Sequence, residues 1–173
     1  MKNLLLLLSI VLFSLTSCEK LFYFPINLES EVTIPSTVGA FLPFSLTTPA
    51  ITTNAVSTFE ANNTAKEHVK SIVLNKLILT ITDPSSEDFS FLNSINIFIS
   101  ANGLGEKKIA YISDIPATVG NEIECICVAE DLQEFVKNDQ FILRVESTVD
   151  ETLTQDIKIN LDTRFLVKAK LKK

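Results

Sequence analysis

Few side chains in this sequence are suited to nucleophilic or metal chemistry. The 173 residues include one histidine, His68, and three cysteines, Cys18, Cys125 and Cys127. A nucleophile needs a base beside it, and a tetrahedral metal site needs about four thiolate, imidazole or carboxylate ligands. Nothing in the spacing pairs His68 with a serine or a cysteine. We therefore expect His68 to face solvent just before a strand, and we expect no metal centre at the two later cysteines.

The later cysteines alternate with other residues in Glu122-Ile123-Glu124-Cys125-Ile126-Cys127. On a β-strand, residues two positions apart leave the same face, with Cα atoms about 6.6–6.8 Å apart. That separation, with parallel Cβ directions, is at the limit for a disulfide. The sequence thus predicts two free thiols, buried as small apolar side chains on the face of Ile123.

Three acidic residues are the weak candidates for a cation site. Asp83, Glu87 and Asp88 bracket a turn, but they lack the regular ligand spacing of a calcium loop. Acidic residues are also favoured at a helix N-terminus, so we expect a solvated turn here. The four glycines form neither a phosphate-binding loop nor a dinucleotide fingerprint. No metal or cofactor is therefore predicted.

The N-terminus has the pattern of an export signal. Lys2 is followed by an uncharged, mostly apolar run, residues 4–15, and then by small residues before Glu19. A membrane-spanning helix needs about 20 apolar residues, so this run is too short to be one. We interpret residues 1–17 as a signal peptide that is cleaved.

The last residues of that signal, Leu15-Thr16-Ser17-Cys18, resemble the lipobox of bacterial lipoproteins. The resemblance implies that Cys18 becomes the first mature residue and carries a diacylglycerol, usually with a third acyl chain such as palmitate on its amine. Two or more acyl chains hold a protein stably on a membrane. The alternative is an ordinary secretory signal with a chance cysteine.

The mature part also resembles small β-sandwich lipoproteins of Bacteroidota-type bacteria. The resemblance rests on the lipobox, a threonine-rich first third, and the stretch Ile78-Leu79-Thr80-Ile81 that leads into Asp88-Phe89-Ser90-Phe91-Leu92. It carries over no functional residues. It implies a lipid anchor in the cell envelope, in the outer membrane, facing the periplasm or the cell surface. We expect a short tether at 18–22 and one domain at 23–173.

Charge argues against nucleic acid as a partner. The chain has 15 basic and 21 acidic residues. Removing the signal takes away Lys2, so the net charge becomes 14 − 21 = −7. An acidic protein does not neutralise phosphates, and we therefore expect no nucleic-acid binding.

Alternating apolar and polar residues predict strands near the C-terminus. Residues 157–171 are mostly apolar at odd positions, and 141–149 show the same period. The polar link Asp150-Glu151-Thr152 predicts that these two strands form a hairpin. The run 123–129 predicts a further strand.

A second hairpin is predicted from strands at 95–101 and 108–113, joined by the turn Asn102-Gly103-Leu104-Gly105. Residues 72–82 are apolar at nearly every position and rich in β-branched side chains. Such a run is typical of a central strand between two packed layers.

No charged residue occurs in 32–59, which has seven threonines and three prolines. We expect no helix there, but edge strands near 24–34 and 44–48. Short helices are predicted at 87–93, with Ser85 or Ser86 as N-cap, and at 130–137. We interpret the uncharged segment as strands that cover the core; an exposed patch for a partner or lipid is the alternative.

The predicted fold is an all-β antiparallel sandwich of immunoglobulin-like size, with about seven to nine strands and one or two short helices. A closed β-barrel is the alternative.

Lysines end the chain, at Lys168, Lys170, Lys172 and Lys173, the first three on the polar face of the last strand. One interpretation is that they guard an edge strand against pairing with another chain. The other is that they face the anionic membrane that holds Cys18, where each contributes about 1 kcal/mol. Almost no polar tether separates Cys18 from Leu21-Phe22-Tyr23-Phe24, so the domain should lie close to that membrane.

The sequence favours a noncatalytic, lipid-anchored envelope protein that binds or assembles with another envelope component, either a protein or a glycan. A structural or stress-protective envelope protein is the first alternative. The second is a hydrolase that uses carboxylates, which the acidic composition permits but no motif supports.

Overall fold

Ten strands and two short helices make up the part of the chain that the computed structural model describes, residues 20–172. The predicted signal peptide, Cys18 and Lys173 lie outside the described residues. The strands are β1 Leu21–Ile34, β2 Pro43–Thr47, β3 Ile51–Thr52, β4 Val69–Asp83, β5 Leu92–Ser100, β6 Lys107–Ile112, β7 Glu122–Glu124, β8 Ile126–Cys127, β9 Gln140–Val149 and β10 Ile157–Lys170. The helices are α1 Ala55–Ala61 and α2 Gln133–Val136.

The strands form two antiparallel sheets. The first has the order β1-β10-β4-β7, and the second has the order β2-β9-β5-β6-β8, with β3 beside β9. The order β1-β10-β4-β7 facing β2-β9-β5-β6 is that of a jelly roll, a sandwich in which the chain crosses repeatedly between sheets. The predicted all-β sandwich is confirmed. The described strands form two separate sheets, not the closed barrel of the alternative.

The core lies between the sheets and is built from the alternating residues that the sequence shows. In β10, every odd position from Ile157 to Ala169 is buried, and its even positions face outward. Phe165 of the first sheet meets Phe141 of the second edge to face, with ring centroids 5.9 Å apart. Such aromatic pairs fix how two sheets sit on each other, because they remove much apolar area from water in one geometry.

The two predicted hairpins have opposite outcomes. β5 and β6 pair as expected around the turn at Asn102 to Gly105. The hairpin of 141–149 with 157–171 is wrong, because β9 lies in the second sheet and β10 in the first. The link between them passes from the second sheet to the first. Alternation fixes which face of a strand is buried, and both strands satisfy it from opposite sides of one core.

Two other strands differ from the prediction. The run 123–129 is not one strand: β7 pairs with β4, β8 pairs with β6, and Cys125 lies at the break where the chain changes sheets. β4 is central in its sheet, as predicted. Its burial alternates, however, so its outer face is not covered by a second layer.

The helices differ as well. Segment 87–93 contains only a 3-10 turn, Phe89–Phe91, because β5 begins at Leu92. The cap is Asp88, whose carboxylate accepts the Ser90 amide at 2.9 Å. Segment 130–137 contains the single turn α2. Conversely, α1 begins inside the uncharged segment, where we expected no helix. Neither helix in residues 20–172 is long and apolar enough to cross a membrane.

The first strand begins earlier than expected. β1 starts at Leu21, inside the segment 18–22 that we assigned to a tether. Leu21 is paired with Lys170 and Phe22 with Ala169. These ladder contacts extend the sheet to within three residues of Cys18.

Candidate functional site

The terminal lysines lie on an interior strand. β10 pairs with β1 on one side and with β4 on the other, through Lys168 and beyond. Its backbone groups are therefore satisfied by neighbours, and it presents no edge to another chain. The interpretation of these lysines as edge guards is wrong for this reason. Lys168 and Lys170 occupy outward positions at the end of β10, and Lys172 follows the strand.

The register places these lysines beside the start of the domain. Leu21 is opposite Lys170, and Tyr23 is opposite Lys168. The Lys168 ammonium lies 5.8 Å from the centre of the Tyr23 ring, close enough for a cation–π contact. The lysines and the start of the described chain thus share one end of the sandwich. We call it the anchor end, because the predicted acylation site precedes Leu21 by three residues in the sequence.

Apolar side chains are exposed at the anchor end. Tyr23 is 59 % exposed, and Leu21 and Leu171 are each exposed by nearly half. Leu171 lies between Lys170 and Lys172 in the chain, and the other two are on β1, opposite lysines of β10. Amphipathic aromatic rings and long cationic side chains together suit the boundary between water and lipid, where the apolar part can be buried while the charge remains hydrated.

The loop after α1 holds the anchor end in place. The Thr64 hydroxyl donates to the Lys170 carbonyl at 2.6 Å, and the Lys172 amide donates to the Asn63 carbonyl at 2.8 Å. Thr64 is fully buried. Sequence reasoning missed this clamp, because it joins positions 106 residues apart. No local pattern marks such a contact.

A second group of lysines lies near the same end. Burial lowers the pKa of Lys137, the neighbouring charges of Lys66 and Lys70 lower it further, and Asp131 opposes them. The Lys137 ammonium donates to Gln133 at 2.8 Å. Lys70 is in β4 beside Val69, which pairs with Ala169 of β10. Positive charge at this end therefore comes from the start of β4 as well as from the C-terminus, which the sequence did not reveal.

The weak cation-site candidates have separate partners. Asp83 lies 3.7 Å from the Lys158 ammonium, and Asp88 caps the turn described above. The Glu87 carboxylate accepts from the Gln155 amide at 3.3 Å. Hydrogen bonds from Ser90 hold the pKa of Asp88 below its usual value. Within residues 20–172, no three histidine, cysteine, aspartate or glutamate side chains are grouped so as to hold a metal ion.

His68 is half-buried rather than solvent-facing, which corrects the expectation. It ends a 3-10 turn before β4, and its amide donates to the Ala65 carbonyl at 2.9 Å. Its Nδ1 atom is buried and has no hydrogen-bond partner among the described residues. The histidine is therefore packed at the base of β4.

Cys125 and Cys127 are free thiols that face the core, at the point where the chain passes from the first sheet to the second. Cys125 is buried and its amide donates to the Leu77 carbonyl at 2.9 Å, whereas Cys127 is only half-buried. Burial raises the pKa of the Cys125 thiol to about 12 and also raises the pKa of Cys127. Both are therefore protonated at neutral pH, and a thiol reacts only through its thiolate.

These positions predict slow thiol modification in the folded, lipidated protein. At pH 8 we expect little reaction of Cys125 and Cys127 with a disulfide reagent before denaturation, with Cys127 the faster of the two. After denaturation both should react, which spectrophotometric titration measures. Rapid modification of the native protein, or a mass showing a disulfide, would contradict the buried, reduced state.

No protein family and no curated protein sequence matches this chain. Solved structures match the chain at low similarity. The crystal structure of FlhE is 8% identical over 85% of this chain and 96% of its own, with a TM-score of 0.36. The structure of infectious bursal disease virus, Gx strain, is 9% identical over 89% of this chain and 32% of its own, with a TM-score of 0.41. Turnip yellow mosaic virus is 13% identical, covering 87% and 84%, with a TM-score of 0.28. These values bear on neither function nor partners.

Proposed function

We propose that this protein is a noncatalytic, lipid-anchored module of the cell envelope, held on the outer membrane by acylated Cys18 with its anchor end against the bilayer. The observation that carries the proposal is the register of β1 with β10. It puts Lys168 and Lys170 opposite Tyr23 and Leu21, next to the predicted acylation site. The anchor would then hold a cationic and partly apolar surface at the lipid headgroups.

The balance of charge makes this orientation specific. The mature chain carries a net charge of 14 − 21 = −7, which anionic lipids repel as a whole. Screening limits that repulsion to about 8 Å at physiological salt, whereas lysines at the surface contribute about 1 kcal/mol each. A membrane-held domain is therefore attracted through the anchor end and repelled through its other faces.

The surroundings of the residues that could do chemistry support a noncatalytic role. Within residues 20–172 the buried Nδ1 of His68 has no hydrogen-bond partner, and burial keeps both thiols protonated. The carboxylates of Asp83, Glu87 and Asp88 are each engaged by a different group. A binding or assembly role leaves the outward faces of the sandwich available to another envelope component.

The vesicle test uses a soluble form that begins at Glu19. We expect it to bind vesicles of anionic lipid at low salt and more weakly at physiological salt. Changing Lys168, Lys170, Lys172 and Lys173 to glutamine should weaken binding at least about tenfold, since four surface cations are lost. Cosedimentation with the vesicles measures this.

A matched variant controls for net charge. Changing Lys76, Lys108, Lys158 and Arg164 to glutamine removes the same charge from other parts of the two sheets. We expect that variant to lose much less affinity for the vesicles than the first, because its four substitutions lie away from the anchor end. Equal weakening in both variants, or no salt-sensitive binding by the parent, would contradict the proposed orientation.

A further inference from the structure

A groove crosses the outer face of the second sheet where β5 is irregular. Leu92 is opposite Val149 of β9, but Ile95 is opposite Ser147, so β5 has one extra residue over this interval. The groove has a volume of about 360 Å³ and its polar lining includes Ser45, Ser94, Asn96, Glu146 and Thr148. We call it the bulge groove. Bulges are frequent beside functional sites, because they change the direction of side chains and interrupt pairing.

A hydrogen bond on the core side of the sheet fixes the floor of the bulge groove. Ser147 is buried in the core, and its hydroxyl donates to the Ser94 carbonyl at 2.5 Å. This bond satisfies a backbone acceptor at the irregularity. The extra residue is thus held by a specific contact, and the outward side chains around it have defined positions.

Polar side chains in the bulge groove are left without protein partners. Ser94, Asn96 and Thr148 are half-buried, yet within residues 20–172 none of their side chains makes a hydrogen bond. Two hydroxyls and one amide thus remain available as donors and acceptors. Half-buried polar groups are satisfied by protein, water or a ligand, so these three can exchange water for the polar groups of a ligand.

The only cation at the bulge groove among the described residues that hydrogen-bond there, Arg144, is paired with two carboxylates. Arg144 binds Glu106 through two hydrogen bonds of 2.6 Å, and it also binds Glu146 and the Ser45 hydroxyl. The two carboxylates raise the pKa of Arg144. The guanidinium is thus occupied and not available to a phosphate or carboxylate ligand. Glu146 keeps acceptor capacity for hydroxyl donors.

An exposed aromatic residue lies two positions before the groove in the chain. Phe41 is 75 % exposed and the adjacent Leu42 is 60 % exposed, immediately before Pro43 of the groove. The Phe41 amide donates to the Val149 carbonyl at 2.6 Å, next to Thr148. Phe41 has φ 62°, a left-handed conformation that bulky residues rarely adopt. Strained backbone of this kind is concentrated at ligand sites.

We propose that the bulge groove, together with the adjacent Phe41, binds an uncharged carbohydrate chain. Hydroxyl groups of a sugar match the unpartnered amide and hydroxyl groups and the remaining acceptor capacity of Glu146, and its C–H face matches the exposed ring. A peptide that added a strand to the open edge of β2 would lie outside the groove, which is between β2, β9 and β5. The inference deepens the proposed binding role by naming a ligand class, but it does not depend on the lipid anchor.

The test uses the full lipidated protein in a detergent that contains no sugar. Saturation-transfer NMR would be recorded with maltohexaose, cellohexaose, xylohexaose and chitohexaose, and with an extended hexapeptide of alternating threonine and serine. We expect transfer to at least one oligosaccharide and none to the peptide. Transfer to no oligosaccharide, or to the peptide instead, would overturn the proposal.

Substitutions test whether the oligosaccharide binds in the groove. Asn96→Ala and Phe41→Ala should each weaken binding of the responding oligosaccharide about fivefold, the loss expected for one hydrogen bond or one ring contact. Asn27→Ala on β1 and Val56→Ala on α1 are matched controls at other exposed positions and should leave binding unchanged. Equal losses in variants and controls would overturn the site. Vesicle binding measured on the same variants distinguishes this failure from a failure of the proposed membrane orientation.

Discussion

Replacing Phe165 with alanine is expected to lower the free energy of unfolding by about 3–5 kcal/mol, since a large buried side chain is lost and a cavity remains. Phe165 is fully buried in the middle of β10, between Ile26 of β1 and Leu74 of β4. The substitution also removes the edge-to-face contact between Phe165 and Phe141 of the opposite sheet. A domain of this size is stable by only about 5–15 kcal/mol, so the change removes a large fraction of the total. Urea denaturation followed by circular dichroism measures it.

Phe41→Ala is the matched control, because it removes the same side chain from an exposed position. We expect it to change the free energy of unfolding by no more than about 0.5 kcal/mol. Equal effects of the two substitutions would show that the sheets do not pack through Phe165 and Phe141.

Replacing Cys18 with alanine is expected to abolish lipid attachment, since the resemblance to the lipobox makes its thiol the acylation site. Cells fed an alkyne fatty acid should label the parent protein and not the variant. Without acyl chains the variant should stay unprocessed or be misdirected, because each buried methylene contributes about 0.8 kcal/mol to membrane attachment.

Cys125→Ala and Cys127→Ala are the controls for that experiment. Both cysteines are in the sandwich, and neither should affect labelling. Label retained on the Cys18→Ala protein would contradict the lipoprotein assignment, whatever the outcome for vesicle binding.

Which parts of this fold can be predicted from sequence depends on whether the signal is local. Alternation in β9 and β10 correctly identifies two strands and their buried faces, and the turn at Asn102 to Gly105 correctly joins β5 to β6. Neither pattern encodes which strand lies beside β10. The partners of β10 are β1 and β4, far away in the chain, so the supposed hairpin failed.

The unexpected helix has a similar cause. The sequence of α1, Ala55-Val56-Ser57-Thr58-Phe59-Glu60-Ala61, has weak helix propensity. Its stability comes from burying Ala55 and Phe59, one turn apart, against the core, where Phe24 meets Phe59 with ring centroids 6.2 Å apart. Whether a short helix of this kind forms depends on tertiary packing, which composition does not show.

The two candidate sites also differ in how much of each is visible in the sequence. The terminal lysines and the apolar residues after Cys18 are visible in the sequence, but only the register shows that Lys168 and Lys170 lie opposite Tyr23 and Leu21. The bulge groove has no sequence signal, because Ser45, Asn96 and Thr148 come from three strands that are adjacent only in the folded sheet. Its extra residue in β5 changes the buried positions from even at Leu92 to odd at Ile95, and it lies before the strand that the sequence predicts at 95–101.

The length of β1 sets the distance between the two ends of the sandwich. Its 14 residues form one uninterrupted strand that begins three positions after Cys18 in the sequence. At about 3.4 Å per residue the strand is about 45 Å long, longer than the hydrocarbon core of a bilayer is thick. The loop that carries Phe41 follows the far end of this strand. In the proposed orientation, that loop would stand tens of ångströms above the lipid surface, where a long polymer could pass without touching the membrane.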